Sequence, residues 1–435
     1  MFKNNRITIS LCLASATLFS QTLLAAGFAL NDHSATASGN ALAGAAASNQ
    51  DISFSFWNPS LLTNASEPTL YISGAIVAPK MDVTVNSASD PTGNSLSGDA
   101  GDVVSPTLVP AIYYALPVTD NTVLGVSLNV PFGLSGDYEN DWAGRYHSAE
   151  TSVSDIALSF SVANQLTKWL SLGASVQFHS ATFKLDSALT DFAGGQSANG
   201  DGYASLEGDD IGAGYSVGFT VEPLQGTRIG VGYRSEVDVT IEGDTSYTNV
   251  GNTLKGLGVD QAYFYSENTL PSVLSLGLEQ SLTDSLTFGA TAIKTGWSSM
   301  DELRIIFDVG DDNVKQPDSV LTFGFDDAWF YSVGLTYEYS DSLILRTGYA
   351  QDNSPIKEKY RSARTPDGDR QWLSFGGTYH FSDTFNMTTA YTYVLIDDAS
   401  VVRDGSLAED ASRGRLNADY ETVAHVFSVS ANKAF

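Results

Sequence analysis

A chain of 435 residues with a formal charge of −28 is a poor partner for nucleic acid, because phosphate binding needs a basic surface. No run of about twenty apolar residues follows the N-terminal stretch, which excludes helical membrane spans, and the mean hydropathy of −0.06 would otherwise describe a water-soluble chain. The 39 glycines and 20 tyrosines fit strands that pack closely on one face and carry aromatic girdles, although a secreted all-β protein could share them.

Lys3 and Arg6 precede an apolar stretch from Ile7 to Phe19, and Leu23-Leu24-Ala25 follows as a cleavage region. Residues 1–25 therefore read as an export signal, with the mature start at Ala26. Cys12 lies inside the apolar core of that signal, behind Leu11 where a lipoprotein needs a small residue. It leaves with the signal, so the mature chain has no thiol, disulfide or thiolate metal site. Loss of Lys3 and Arg6 takes the charge to about −30.

Residues 26–69 lack a period of two and read as an N-terminal plug, or hatch. Small residues fill Ala41 to Ser48, and the segment closes on Trp57-Asn58-Pro59-Ser60, where Pro59 removes a donor and disfavours helix at Asn58. A flexible leader is the alternative, but Phe28, Leu30, Phe54, Phe56, Trp57 and Leu61 are too apolar to stay in water.

From residue 70 to 435 the chain alternates. Ile156, Leu158, Phe160 and Val162 share one face against Asp155, Ser159 and Ser161; Leu373, Phe375, Tyr379 and Phe381 oppose Ser374, Thr378 and His380. Tight turns fall near 118, 166, 224, 283, 341 and 383, most with a central Asp that can bond its own backbone, as in Ser340-Asp341-Ser342. Long acidic loops fall near 81–104, 136–150, 185–210, 243–268, 307–325, 353–370 and 397–420. Those connections make about fourteen strands, hence an all-β transmembrane antiparallel β-barrel with both termini at the periplasmic end. Its lumen is too wide for strand side chains to fill, and the hatch is the occupant.

In the third strand, Val123 to Val130 runs into Pro131-Phe132-Gly133. Either the strand bends there or it ends at Val130. Acidic clusters such as Asp209-Asp210, Asp308 with Asp311-Asp312, Asp397-Asp398 and Glu409-Asp410 lack EF-hand spacing and read as solvated, with divalent cations as the other option. The five histidines, His33, His147, His179, His380 and His425, fall in no local catalytic signature, so no catalytic residue, metal or cofactor is assigned.

Several ordered motifs resemble the FadL long-chain fatty acid transporter family. They are Ala26-Gly27-Phe28 with Leu30-Asn31, Asn58-Pro59, Trp142-Ala143-Gly144-Arg145-Tyr146-His147, Tyr233-Arg234-Ser235-Glu236-Val237, Leu270-Pro271, Thr295-Gly296-Trp297-Ser298, Arg346-Thr347-Gly348-Tyr349, Asp352-Asn353-Ser354-Pro355, Asp369-Arg370-Gln371-Trp372 and the terminal Phe435. The resemblance spans the mature chain. It implies a fourteen-stranded barrel in the outer membrane of a Gram-negative bacterium and passive uptake of long-chain fatty acids or other hydrophobic small molecules. It also implies a hatch gate involving Phe28, Asn58 and Pro59, and a sideways exit at a third-strand kink of Pro131, Phe132 and Gly133. Trp142 and Arg145 join these as ligand-binding candidates in the second long loop.

The acidic loops then form the capture end, the partners are the solute, outer-membrane lipid and lipopolysaccharide, and a monomer is expected. Arg145, Lys184, Arg228, Lys294 and Arg304 are the candidates for a carboxylate head group. Acids at Phe325-Asp326-Asp327-Ala328, where the family pattern suggests a lysine, leave an aromatic-hydrocarbon channel open as the alternative. An outer-membrane enzyme and an open porin are the competing classes.

Overall fold

The computed structural model describes residues 27–190, 200–256, 259, 261–308 and 316–435; the expected export signal and Asp311-Asp312 lie outside them. Six continuous strands come first: β1 (Thr69–Ser89), β2 (Thr107–Thr119), β3 (Thr122–Asp137), β4 (Glu150–Thr167), β5 (Leu170–Leu189) and β6 (Gly202–Leu224). The next four are each broken into two pieces in line. They are β7 (Thr227–Arg234) with β8 (Val237–Thr248), β9 (Gln261–Leu270) with β10 (Val273–Ser281), β11 (Leu286–Thr295) with β12 (Glu302–Asp308), and β13 (Ser319–Thr322) with β14 (Ala328–Ser340). The wall ends with β15 (Leu343–Asp352), β16 (Arg370–Ser382), β17 (Phe385–Ile396) continued by β18 (Ala399–Arg403), and β19 (Arg415–Ala434).

Counted with each broken strand as one, the wall has fourteen strands, all antiparallel. It closes where β1 pairs with β19 from Thr69 opposite Ala434 to Ser89 opposite Arg415. Closure pairs the first strand with the last, the condition for crossing a bilayer with strands.

The two faces see different solvents. Phe160, Val176, Phe375 and Phe427 project outward at about half exposure, a level at which a water-soluble protein would bury them. Their neighbours point into the lumen and are bonded there, as where the Gln177 amide donates to Ser159 Oγ at 3.1 Å. Several strands run farther than the sequence suggests: β1 continues to Ser89, β8 to Thr248, and β19 starts at Arg415 inside an expected loop. Above the apolar band the ladder persists because polar side chains bond on the outer face, as between Asn86 and Asp419 at 2.7 Å.

Residues 27–68 sit inside the barrel, largely buried. They form a single helical turn, Ala35–Ser38, and two 3-10 turns, Ile52–Phe56 and Pro59–Asn64, whose first amides are capped by Ser34, Asp51 and Asn58. Pro59 stands at the first position of its turn, where its missing N–H costs nothing.

The wall meets this segment with glycine. A Cβ on Gly230 would lie 1.7 Å from the Ala46 carbonyl, and one on Gly348 would lie 1.9 Å from the Asn40 carbonyl. Backbone therefore lies on backbone across the lumen, and side-chain bonds fix the register. Ala45 N–H donates to Thr291 Oγ1 at 2.9 Å, and the Asn58 amide reaches the Ala46 carbonyl at 2.7 Å and the Phe219 carbonyl at 3.0 Å.

Candidate functional site

β2 and β3 pair upward from their periplasmic turn only as far as Ile112 opposite Leu128. Above that point β2 stays with β1 and β3 stays with β4, so a fork opens in the wall. The fork is closed at its top, where the Asp137 amide donates to the Val103 carbonyl at 2.9 Å. Residues 129–136 of β3 leave about 26 Å of strand edge without a β2 partner, at 3.3 Å per residue.

Pro131 accounts for the divergence. It has no N–H for a ladder, and the register between β3 and β4 slips between Asn129 and Phe132, leaving a bulge. The inward/outward alternation ends there: residues 131–135 are all buried. The N-terminal segment takes up the exposed backbone. Leu30 N–H donates to the Pro131 carbonyl and Gly133 N–H donates to the Phe28 carbonyl, each at 2.8 Å, with Ala29 bridging Phe132. Each such group would cost about 1–3 kcal/mol if buried without a partner.

Behind the fork lies an apolar chamber. Phe28 packs edge-on against Phe132 at 6.0 Å and Trp297 at 4.6 Å, and Trp297 meets Phe325 at 5.9 Å. Leu134, Phe183, Leu185 and Leu303 extend the same cluster upward. The remaining cavity is about 30 Å³, lined by Phe28, Leu134, Phe183, Leu303 and Phe323, with Arg364 and Thr365 beside them. That space holds little more than a water, so a larger solute enters only if Phe28 or its neighbours move.

Arg364 is the chemical exception in this lining. It is buried, donates to the Glu150 carbonyl at 2.8 Å, to Thr151 Oγ1 at 2.7 Å and to the Asp186 carbonyl at 2.9 Å, and its Nε has no partner. Among the described residues no carboxylate comes within ion-pair distance. Burial, with Arg413 nearby, pushes its guanidinium down to about 9, so it stays cationic at neutral pH. A buried guanidinium bordering an apolar chamber, with no carboxylate in ion-pair contact, favours an anion.

The five basic residues singled out from sequence are all neutralised. Arg145 pairs with Asp201 at 2.6 Å, Lys184 with Glu150, Arg228 with Glu222 at 3.1 Å, Lys294 with Asp327 at 2.7 Å, and Arg304 with Glu302 at 2.7 Å. Glu409 and Asp410 are likewise bound, to Arg403 at 2.8 and 2.6 Å.

The structure therefore brings Phe28, Pro131, Phe132 and Gly133 together and sets the other expected residues elsewhere. Asn58 and Pro59 lie in the N-terminal segment against β5 and β6, where a Cβ on Gly173 would strike Pro59 and one on Gly218 would strike Asn58. Trp142 stacks on Tyr138 at 4.1 Å and donates to the Ser148 carbonyl inside an extracellular loop core, with Arg145 beside it donating to the Trp142 carbonyl. Nothing local marks Arg364 in the sequence: it is one of three arginines in Arg361–Arg370, and its place beside the apolar chamber appears only in the fold.

A closed antiparallel barrel with an apolar outer band, an occupied lumen and no helix long and apolar enough to span a bilayer among the described residues is a transmembrane barrel of the outer-membrane type. The chain belongs to the outer membrane protein transport protein family (OMPP1/FadL/TodX), whose model matches residues 16–435. It is 26% identical over 420 residues to the long-chain fatty acid transport protein of Escherichia coli O6:H1, covering 91% of this chain and 92% of that one. A Pseudomonas aeruginosa FadL homologue superposes with a TM-score of 0.87 at 21% identity, covering 94% of this chain and 100% of that one. The Pseudomonas putida toluene transporter TodX superposes at 0.69 and 18% identity, covering 94% and 100%.

Proposed function

We propose that this protein carries long-chain fatty acids passively across the outer membrane, holding the acyl chain in the Phe28–Trp297–Phe183 chamber and the carboxylate at Arg364. The buried Arg364 guanidinium, which has no carboxylate in ion-pair contact, carries this reading, because a hydrocarbon solute would leave its Nε unsatisfied. Residues 27–68 act as the gate. Phe28 both lines the chamber and donates its carbonyl to the exposed edge of β3, so the movement that admits the ligand also uncovers the fork. Release is sideways into the bilayer, since the space beneath the segment is polar, lined by Gln50, Asp51, Glu279 and Arg346.

No reaction is assigned. Among the described residues the one His/carboxylate pair, His179 with Asp155 at 2.9 Å, is wholly buried, and His179 Nε2 has no hydrogen-bond partner and so no hydroxyl to activate.

Binding of oleate and of toluene to purified protein tests the assignment. Arg364→Gln should weaken oleate about 10- to 100-fold, the value of 1.5–3 kcal/mol for a charged hydrogen bond, and leave toluene unchanged. Equal loss for both ligands, or loss for neither, overturns the carboxylate reading and favours the aromatic-hydrocarbon one that the acids at Asp326 and Asp327 suggest.

A further inference from the structure

The lower corner of the fork carries its own fastening. Tyr113 on β2 and Asn129 on β3 face inward where the two strands part, at 1% and 2% exposure. The Asn129 amide donates to Tyr113 Oη at 2.7 Å, linking the first β3 residue above the last β2–β3 pair to the β2 residue just below it. Tyr113 Oη in turn faces the His33 carbonyl of the N-terminal segment at 3.4 Å. The His33 ring meets the Leu30 carbonyl at 2.8 Å through Nε2, and Leu30 N–H meets the Pro131 carbonyl at 2.8 Å. The circuit thus leaves β3 at Asn129, passes through β2 and the N-terminal segment, and returns to β3 at Pro131. Asn129 is also the last residue in register with β4 before the bulge, opposite Ala157.

We infer that Tyr113 and Asn129 form a clasp that sets the width of the lateral fork and ties it to the position of the N-terminal segment. Both are positioning residues; neither lines the apolar chamber. With the segment seated, the His33 carbonyl holds the Tyr113 hydroxyl in line for Asn129 and the two strands stay together. When Phe28 to Leu30 swing away, His33 follows through its bond to Leu30, Tyr113 loses its acceptor, and β3 is free to move from β2. The inference rests on lateral release.

Absence of cysteine after Cys12 allows a clean test in full-length protein. Spin labels on Leu108→Cys and Val130→Cys report the distance across the fork. Tyr113→Phe and Asn129→Leu, which keep volume, should each raise the wide-fork population about fivefold, the effect of one hydrogen bond of about 1 kcal/mol, and the double variant should add nothing further. Should Asn129→Leu fail to assemble, Tyr113→Phe carries the test. Unchanged distances, or effects that add as independent ones, overturn the clasp. Bridging the same two cysteines with a short bismaleimide separates the two ideas. Oleate uptake that survives the bridge overturns lateral release and the clasp with it, whereas blocked uptake with unchanged distances in the variants overturns the clasp alone.

Discussion

The wall from β4 to β6 and the wall at β2 and β3 are built from the same alternating pattern, yet one is sealed and the other is not. Between β4 and β5 the ladder runs from Glu150 opposite Asp186 down to Thr167 opposite Leu170, with one slip beside the periplasmic turn. Between β2 and β3 it stops at Leu128, and the residues above it bond to the N-terminal segment instead. A strand can leave its neighbour at bilayer depth only if another backbone satisfies its donors and acceptors. The segment that fills the lumen supplies that backbone, so plugging and sealing are one contact.

Removing residues 27–68 should break the contrast most severely. The glycine-floored lumen would then stand open, and vesicles bearing the truncated barrel should leak a small hydrophilic dye at least tenfold faster; an unchanged leak would sink the hatch. Next in size, Pro131→Ala with Gly133→Ala should let β3 rejoin the regular pattern and cut oleate uptake by roughly tenfold while the barrel still assembles. Unaltered transport in that variant would remove the sideways exit.

A smaller effect is expected at Gly348, where a methyl group meets the Asn40 carbonyl. Gly348→Ala should loosen the segment by about 1–3 kcal/mol, seen as a partial dye leak and faster proteolysis between Gly27 and Pro68. The mildest perturbation is pH. Arg364 is charged below about 9, so oleate affinity should hold to that point and fall as pH rises through it, with toluene binding flat across the range. A flat oleate profile would place the head group elsewhere.

Much of the wall was legible in the residues. The turns at Asp120-Asn121, Lys168-Trp169, Asp341-Ser342 and Asp383-Thr384 fall where their chemistry indicates, because turn geometry is local. At Pro131 the residues alone left a bend and a strand end at Val130 both open; the strand in fact continues to Asp137 through a slip between Asn129 and Phe132. Strand ends were not legible: β8 runs on through Gly243 to Thr248, polar on both faces, and β19 starts at Arg415 within residues read as loop, though Leu416, Ala418 and Tyr420 already alternate there.

The partners of the carboxylate candidates were not legible at all. Arg145, Lys184 and Lys294 look free in a list of basic residues, and each meets its acid only after folding, Arg145 across 56 positions to Asp201.

By itself, then, the chain determines a barrel of about fourteen strands, an apolar N-terminal segment without strand alternation and a proline within its third strand, because alternation, turns and proline act over a few residues. Only the tertiary structure decides that the backbone of Phe28 and Leu30 meets β3 beside Pro131, and that Arg364 borders the apolar chamber with its Nε unbonded. Burial and charge pairing are sums over residues that the sequence keeps far apart.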